Sequence, residues 1–450
     1  MIAVTSPQLK RSGKVPRRGP LHVWMNGSHL GVWIPPTQGA HTLEYDPSWV
    51  ASPNARVLSL SLPFTPGNVP HKGESVASYF DNLLPDTEAI RQRIRGRFST
   101  PSSGAFDLLT AVGRDCVGAV QLLSAGQSPT GFDRIEGDPL DETGVERALK
   151  ATLTADRILG QSGGFRISLA GAQEKIALLF HGGQWCEPRG ATPTTHILKL
   201  PIGQVGSMRA DLLESVENEW LCSRILEAFG VSVARAQMAL FGGTKALVVQ
   251  RFDRTKHRDG WLVRVPQEDF CQAMGVAGSL KYESDGGPGM KDVLTVLNAS
   301  SNSDEDKLTF VKAQMLFWML AAIDGHAKNF SIFHEPGNKF RLTPLYDVLS
   351  AWPIIGKGKN QLAIQDAKLA MAVRSKNVHW KLREIKPRHW SSVTQLAGMG
   401  DAGQLTAELI AKTDAVIAAV GKEIPPGFPV RVSDSIFSGL RESARILKAG

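Results

Sequence analysis

Strand-like segments dominate the first half of this chain and helix-like segments the second, and this order limits the folds open to it. Leu21–Met25 and Leu30–Ile34 flank an Asn26–Gly27 turn, which is the pattern of a β-hairpin. Further strands are predicted at residues 57–62, 117–123, 167–171, 175–180, 196–200 and 246–252. Helices are predicted at residues 87–98, 105–112, 142–154, 214–229 and 308–323, and the chain becomes mostly helical from Asp292. This order predicts an α+β protein whose two lobes enclose a cleft.

Changes in composition along the chain predict its domains. Residues 1–20 are polar and basic and predict a flexible tail. Residues 21–125 predict a β-rich N-terminal subdomain, and a polar segment with several glycines follows it. Residues 150–265 then predict a mixed lobe, and residues 266–450 a helical lobe.

The bulk composition is that of a globular protein. The 450 residues are 42% hydrophobic, enough for a sizeable core. The longest apolar runs are too short to span a bilayer and the N-terminus lacks a secretory apolar region, so we expect a cytoplasmic protein. The four cysteines form no C-x-x-C pair, which argues against a zinc site or a disulfide framework. The formal charge of +8 weakly favours acidic partners such as nucleic acid.

The segment Ala322–Ser331 carries the most specific chemistry. Asp324 and Asn329 stand five positions apart, directly after a long apolar stretch. Phosphoryl transfer needs a carboxylate near the attacking hydroxyl and an oxygen ligand for Mg²⁺ beside it, and the kinase catalytic loop supplies both at this spacing. Asp347 lies in the right part of the chain to be a second Mg²⁺ ligand. Taken singly, Asp324 fits a helix-ending turn and Asp347 a cap, but together they favour a kinase.

A run of small residues between two predicted strands is a candidate phosphate loop, because small side chains let backbone N–H groups approach phosphates. It matches neither G-x-G-x-x-G nor the Walker pattern, and an ordinary hairpin turn explains the run about equally well. The candidate loop consists of Ala170, Gly171, Ala172, Gln173, Glu174 and Lys175.

Lys199 stands alone among the apolar residues of the predicted strand His196–Leu200. A buried lysine needs an anionic partner, and ATP phosphates with a carboxylate of the next helix would provide one. Glu217 and Glu219 are the candidate carboxylates, since a strand lysine followed by a helix glutamate is the kinase arrangement. A lysine reaching solvent from an edge strand would explain the same pattern. In the kinase reading, Val249–Phe252 is the strand whose backbone contacts adenine.

The segment 368–389 is rich in basic residues, with Trp380 and Trp390 nearby. A basic run with interleaved aromatic residues can bind a nucleic-acid backbone, although such runs more often form a solvated surface. The residues that could face DNA are Lys381, Arg383, Lys386 and Arg388.

Several unusual strings, in one order over roughly residues 21–395, resemble the HipA family, the toxins of bacterial toxin–antitoxin pairs. The matching strings are Asp81–Asp86, Gly113–Gly118, Ile167–Lys175, Thr194–Pro201, Gln250–Arg254, Pro266–Asp269, Lys281–Pro288, Ile323–Phe330 and Leu345–Asp347. The resemblance implies a protein-kinase-like fold with an added N-terminal β-rich subdomain. The mixed lobe would be the kinase N-lobe and the helical lobe the C-lobe.

The resemblance also implies roles for individual residues. Asp324 would be the catalytic base, Asn329 and Asp347 the Mg²⁺ ligands, and Lys199 a contact to ATP phosphates. Ser168 matches the family's autophosphorylation position. Further ATP contacts are implied for the phosphate loop and for Gln250, Arg251, Phe252, His326, Ala327, Lys328 and Tyr346. For His326, structural packing is an equally good explanation.

The family's partners and target complete what the resemblance implies. The partner is a HipB-type helix-turn-helix antitoxin, the complex binds operator DNA mainly through the antitoxin, and the phosphorylated target is an aminoacyl-tRNA synthetase. The chain departs from the family in its tail and in the helix after Pro387–His389, which lacks basic residues. Two other functions fit the motifs: a small-molecule or lipid kinase, and a catalytically silent nucleotide-sensing subunit of a DNA-binding repressor.

Overall fold

The N-terminal domain is an antiparallel sheet packed against short helices. The computed structural model describes residues 19–36, 39–153, 169, 173–205 and 209–449. The sheet has the order β4-β3-β2-β1-β5. Its strands are β1 (Leu21–Met25), β2 (Ser28–Ile34), β3 (Thr42–Tyr45), β4 (His71–Lys72) and β5 (Val120–Ser124), and its helices are α1 (Pro47–Val50), α2 (Glu74–Asp81), α3 (Glu88–Phe98) and α4 (Ala105–Val112). The rings of Trp33 and Phe80 stack at 3.9 Å and join β2 to α2 in the core.

The first hairpin confirms the turn chemistry expected from the sequence. Asn26 and Gly27 have φ values of 46° and 83°, the left-handed pair that a two-residue hairpin requires. The predicted strand at residues 57–62 is wrong, because this segment is irregular. A side chain hydrogen-bonds with its backbone instead. The Leu58 N–H donates to the Tyr45 hydroxyl, which in turn donates to the carbonyl of Leu62.

The N-lobe is built on an antiparallel sheet of order β12-β13-β9-β7-β8-β6. The sheet includes β6, which pairs with β8, and α5 packs on it through Val145 and Leu149. Its strands are β6 (Gly137–Leu140), β7 (Lys175–His181), β8 (Gln184–Pro188), β9 (His196–Lys199), β10 (Gly203–Val205), β11 (Ala210–Leu212), β12 (Ala236–Phe241), β13 (Thr244–Gln250), β14 (Arg254–Lys256) and β15 (Leu262–Arg264), and its helices are α5 (Glu142–Lys150) and α6 (Ser215–Ala228).

The C-lobe is largely helical but contains more strand than the sequence indicated. Its helices are α7 (Phe270–Ala273), α8 (Met290–Leu297), α9 (Ser303–Met319), α10 (Pro387–Leu396), α11 (Gly403–Gly421) and α12 (Val430–Ala449). Its strands are β16 (Gln267–Asp269), β17 (Ser331–Glu335), β18 (Lys339–Leu342), β19 (Lys368–Arg374) and β20 (Val378–Lys381). Over the ranges described above, no helix combines the length and the apolarity that a bilayer span requires.

Helix α9 ends at Met319, earlier than the predicted end at Ile323. Ala321 has a φ of 48°, and the Ala322 N–H donates back to the carbonyl of Phe317 at 2.7 Å. A left-handed residue closing the last turn is a common helix terminator. The chain therefore leaves the helix before Asp324, and that aspartate lies in a loop.

A buried charge network joins the N-terminal domain to the N-lobe. Asp115, which precedes β5, pairs with Arg254 at 2.9 Å and with Arg264 at 3.0 Å. Arg251 pairs with Asp253 at 2.7 Å in the same cluster. Burial alone would raise the pKa of Asp115, but the three arginines hold it well below its ordinary value. The interface between these domains is thus stabilised by ionised groups.

We expect Asp115→Asn to lower the free energy of unfolding by about 3–5 kcal/mol, since it leaves buried guanidinium groups without their carboxylate. Because the pKa of Asp115 is depressed in the folded protein, its contribution is complete above the ordinary pKa of 3.8 and is lost as the pH falls below that value. Urea unfolding at neutral and acidic pH measures both effects.

Asp138→Asn is the matched control, because Asp138 pairs with Arg189 on the surface with 48% of its side chain exposed. Its loss should change the free energy of unfolding by less than about 1 kcal/mol. Equal unfolding midpoints for Asp115→Asn and Asp138→Asn would contradict the structural role of the network.

Candidate active site

A cleft of about 780 Å³ lies between the lobes, within the usual size range of ligand sites. Its walls come from the N-lobe sheet, the loop after α9, the segment after β18 and the N-terminal domain. The candidates from the sequence that line it are Gln173, Lys175, Lys199, Gln250, Arg251, Phe252, Asp324, His326, Lys328, Asn329, Tyr346 and Asp347. The structure therefore brings most of the candidate residues together.

Lys199 is buried at the end of β9, between carboxylates of both lobes. Its ammonium group lies 2.6 Å from Glu219 Oε1 on α6 and 2.8 Å from Asp347 Oδ1 of the C-lobe. Burial alone would lower the pKa of Lys199, but Asp347 and Glu219 raise it above its ordinary value. Of the two candidate glutamates, Glu219 is thus the one beside Lys199, and Glu217 pairs with Lys245 instead.

Lys175 is the cross-strand neighbour of Lys199, because β7 and β9 pair with these two residues in register. Burial lowers the pKa of Lys175 to about 8, and the nearby carboxylate of Asp347 opposes that shift. Two lysines on adjacent strands therefore face one carboxylate across the cleft. This concentration of positive charge suits an anionic ligand.

The backbone at Asp347 has a conformation that few non-glycine residues adopt. Its φ is 60°, in the left-handed region. Leu345, two residues before Asp347, is held by both of its backbone groups, which hydrogen-bond with Ser232 and Ala234 of the N-lobe. The Tyr346 hydroxyl donates to the carbonyl of Lys328 at 2.8 Å. A left-handed backbone that is held in place by the anchored residues before it is typical of a functional site.

The loop after α9 presents Asp324 to solvent and Asn329 to the cleft. The Asp324 side chain is 62% exposed. The Asn329 amide group donates to the backbone carbonyl of Asp324 at 2.8 Å, which ties the two residues together. A side chain at Gly325 would meet the ring of Phe317 at 2.5 Å, so this close approach to α9 requires glycine. The hydroxyl of Tyr282 donates to Asp324 Oδ1 at 2.5 Å.

The other candidates of this loop are buried. Burial lowers the pKa of His326 to about 4, so its imidazole is neutral at physiological pH. Ala327 is fully buried and does not line the cleft. Lys328 pairs with Asp86 of the N-terminal domain at 2.6 Å. Its ammonium group is therefore already neutralised by this chain.

In the linker after β13, the side chain of Arg251 lies in the buried charge network and its backbone N–H donates to the carbonyl of Thr195. The N–H of Gln250 donates to the carbonyl of Arg235. The backbone N–H groups of Phe252 and Asp253 find no acceptor among the described residues. Both residues line the cleft, so an adenine contact by a backbone N–H of the linker could come from either of them.

Part of the candidate phosphate loop lies outside the described residues, namely Ala170, Gly171 and Ala172, and so does Ser168. Gln173 donates to the carbonyl of Leu200 at 2.5 Å, and Glu174 pairs with Arg93 of α3. The basic candidates Arg383, Lys386 and Arg388 are exposed and Lys381 is half-buried.

Sequence reasoning gave no role to four residues of this site: Asp86, Asp269, Lys281 and Tyr282. Burial raises the pKa of Asp269 to about 7, and its carboxylate caps α7. Asp86 and Lys281 form an ion pair at 2.7 Å. The signal was present in the strings Asp81–Asp86 and Lys281–Pro288, which match the family but contain no recognised catalytic spacing.

This fold and site define a two-lobed, kinase-like protein with an added N-terminal domain. Residues 21–123 match the HipA N-terminal domain, and residues 167–421 match the HipA-like C-terminal domain. The chain belongs to the HipA family of kinases, and the resemblance seen in its sequence is confirmed. Membership of a kinase family implies that it uses ATP.

Individual relatives agree with this assignment. The chain is 34% identical over 385 residues to the putative kinase Y4mE of Sinorhizobium fredii, covering 84% of this chain and 86% of that protein. It is 29% identical over 296 residues to the serine/threonine-protein kinase toxin HipA of Shewanella oneidensis, covering 61% of this chain and 63% of the relative.

A solved complex of HipA, HipB and operator DNA from Shewanella oneidensis MR-1 has a similar fold. The TM-score is 0.76 at 21% identity, over 95% of this chain and 97% of that one. The predicted α+β class and kinase-like architecture are confirmed by this likeness.

We expect the Lys175 ammonium group to titrate with a midpoint near pH 8, well below its ordinary pKa of 10.5, because burial favours the neutral amine. Asp347→Asn should lower the midpoint further, since it removes a negative charge that favours the protonated form. NMR spectra of protein labelled at lysine Cε measure the titration, and Lys175→Met assigns the signal. A midpoint near 10.5 would contradict the expected desolvation of Lys175.

Proposed function

We propose that this protein is a Mg²⁺-dependent serine/threonine-protein kinase that transfers the γ-phosphate of ATP to a protein hydroxyl. The observation that carries the proposal is the contact of Lys199 with both Glu219 and Asp347, in the cleft that also contains Asp324 and Asn329. Active protein kinases need the lysine–glutamate pair and the metal-binding aspartate in place together.

The oxygen atoms of Asn329 and Asp347 fit a magnesium ion. Asn329 donates through its amide nitrogen to the carbonyl of Asp324, and its amide oxygen has no donor among the described residues. One carboxylate oxygen of Asp347 accepts from Lys199, and the other remains for a cation. Carboxylate and amide oxygens, completed by water and phosphate, are the ligands that Mg²⁺ prefers. When bound, the ion would neutralise charge that develops on the phosphates.

The roles of the remaining side chains follow from their positions. Lys199 would hold the ATP phosphates, and Lys175 would add a second positive charge. Asp324 would accept the proton of the attacking hydroxyl. Its carboxylate is 62% exposed, so a serine or threonine on a polypeptide can approach it from solvent. This exposure favours a protein acceptor over a small molecule enclosed by the site.

We expect Asp324→Asn to lower kcat by about 10²–10⁴-fold with little change in ATP affinity, because it removes the proton acceptor. Asp347→Asn should abolish transfer and also weaken Mg·ATP binding, and EDTA should inactivate the parent protein. Transfer of labelled phosphate from ATP to casein measures kcat, and calorimetry measures ATP affinity.

Asp304→Asn should retain parental activity, since Asp304 is fully exposed at the start of α9. Normal turnover by Asp324→Asn would contradict the proposed mechanism. Phosphorylation of sugars, choline-like compounds or phosphoinositides in place of protein would favour the small-molecule kinase.

We further propose that the kinase acts as the toxin of a toxin–antitoxin module. Its antitoxin would be a small helix-turn-helix protein of the HipB type, supplying most of the affinity for operator DNA. The support is the family assignment and the likeness to a HipA–HipB–DNA complex. The target would be an aminoacyl-tRNA synthetase. Phosphorylation of Ser168 would inactivate the kinase, because a phosphate beside the phosphate loop would repel ATP.

Expression without the antitoxin should arrest growth, and Asp324→Asn should relieve the arrest, because arrest requires phosphoryl transfer. Colony counts after induction measure the effect, with a catalytically active protein co-expressed with its antitoxin as the control. Equal toxicity of Asp324→Asn and the parent would mean that toxicity has another cause.

Mass spectrometry of the purified parent after incubation with Mg·ATP shows whether Ser168 carries phosphate.

A further inference from the structure

Asp86 belongs to the N-terminal domain but contacts residues of the C-lobe. One of its carboxylate oxygens accepts from Lys328 at 2.6 Å, and the other accepts from Lys281 at 2.7 Å. The exposed fraction of the side chain is 13% for Asp86 and 4% for Lys328. Although burial alone would raise the pKa of Asp86, the two lysines hold it at about 2. The carboxylate is therefore ionised throughout the physiological pH range.

Both lysines belong to segments that carry the candidate catalytic groups. Lys328 lies in the helical turn Ala327–Asn329 and directly precedes Asn329. Lys281 directly precedes Tyr282, whose hydroxyl donates to Asp324 Oδ1. The Lys281 carbonyl also accepts from the N–H of Ala327 at 3.4 Å, which ties the two segments to each other. Asp86 thus contacts the immediate neighbours of both Tyr282 and Asn329.

Asp324 needs such outside support because its own surroundings do not fix its side chain. It is 62% exposed, and His326 lies 4.0 Å from it and is neutral. The hydroxyl of Tyr282 is the donor within hydrogen-bond distance of its carboxylate among the described residues. The rotamer of Asp324 therefore depends on where Tyr282 is held, and Tyr282 follows Lys281.

We propose that Asp86 is a positioning residue for phosphoryl transfer, through which the N-terminal domain orients Asp324 and Asn329 by holding Lys281 and Lys328. This inference rests on the proposed kinase function. The N-terminal domain is then a structural part of the active site.

The expected consequence of losing the carboxylate follows from the burial of its partners. Asp86→Asn keeps the shape of the side chain but leaves both lysines without their common anion. Buried cations do not remain unpaired, so each lysine moves towards another acceptor, and for Lys328 the nearby carboxyl of Asp269 is available. The segments that carry Tyr282 and Asn329 move with them.

The test compares Asp86→Asn with Asp81→Asn. Asp81 lies in the same domain and pairs with Arg91 at 2.6 Å, so the control removes an equal charge from an ion pair that contacts neither Lys281 nor Lys328, while Arg91 can keep its hydrogen bond to the carbonyl of Pro85. We expect Asp86→Asn to lower kcat for casein phosphorylation by about 10–100-fold, as misplacement of reacting groups does, with KM for ATP nearly unchanged. Asp81→Asn should keep both constants, and thermal unfolding verifies that both variants are folded.

A double-mutant cycle with Lys281→Met tests the route of the effect. If Asp86 acts through Lys281, the double variant Asp86→Asn/Lys281→Met loses no more activity than Asp86→Asn alone, because the contact is already absent. A double variant whose loss of activity equals the product of the two single losses would overturn the proposal. An Asp86→Asn variant with the same kcat as Asp81→Asn would also overturn it. So would an Asp86→Asn variant that changes only the KM for ATP. A parent protein that transfers no phosphate contradicts the proposed function, and the role of Asp86 falls with it.

Discussion

The buried ammonium group of Lys199 joins the lobes, and the arrangement of the site depends on that contact. Removing a charged amine from water costs several kcal/mol, which is offset here by Glu219 at 2.6 Å and Asp347 at 2.8 Å. Glu219 belongs to α6 of the N-lobe, and Asp347 belongs to the C-lobe. A separation of the lobes would break one of these contacts. The relative position of the lobes and the electrostatics of the cleft are therefore coupled.

The same principle operates where the N-terminal domain meets the kinase lobes. The apolar residues of the N-terminal domain pack in a core of their own, whereas α6 of the N-lobe shares a core with the C-lobe. Across these boundaries the contacts include buried ion pairs, those of Asp115 with arginines of the N-lobe and those of Asp86 with lysines of the C-lobe. Apolar packing alone tolerates sliding, whereas a buried charge must find its specific partner. Charge pairing therefore fixes the relative placement of separately packed units.

How far the sequence predicts this structure depends on the range of each interaction. Tight hairpin turns and the Asp324–Asn329 spacing are local, so residue patterns reveal them, as the turn at Asn26–Gly27 shows. The segment at residues 57–62 has the alternation of a strand but bonds to side chains of distant residues, which no local pattern contains. The contact of Tyr282 with Asp324 spans 42 positions, and those of Asp86 with Lys281 and Lys328 span 195 and 242. Such contacts depend on the folded topology, so sequence patterns indicated no role for Asp86, Lys281 or Tyr282.

The charges of the cleft also bear on how a nucleotide would bind. Lys175 and Lys199 are cross-strand neighbours, and their mutual repulsion is relieved by Asp347, which lies close to both. Under the proposed function, a phosphate that paired with Lys199 would leave Asp347 without its hydrogen-bonded cation, and a divalent metal ion held by Asp347 would restore the balance. Nucleotide and metal ion would then bind cooperatively, because each would compensate the charge that the other exposes. The carboxylate that pairs with Lys199 would thus also be the group that couples nucleotide binding to the metal ion.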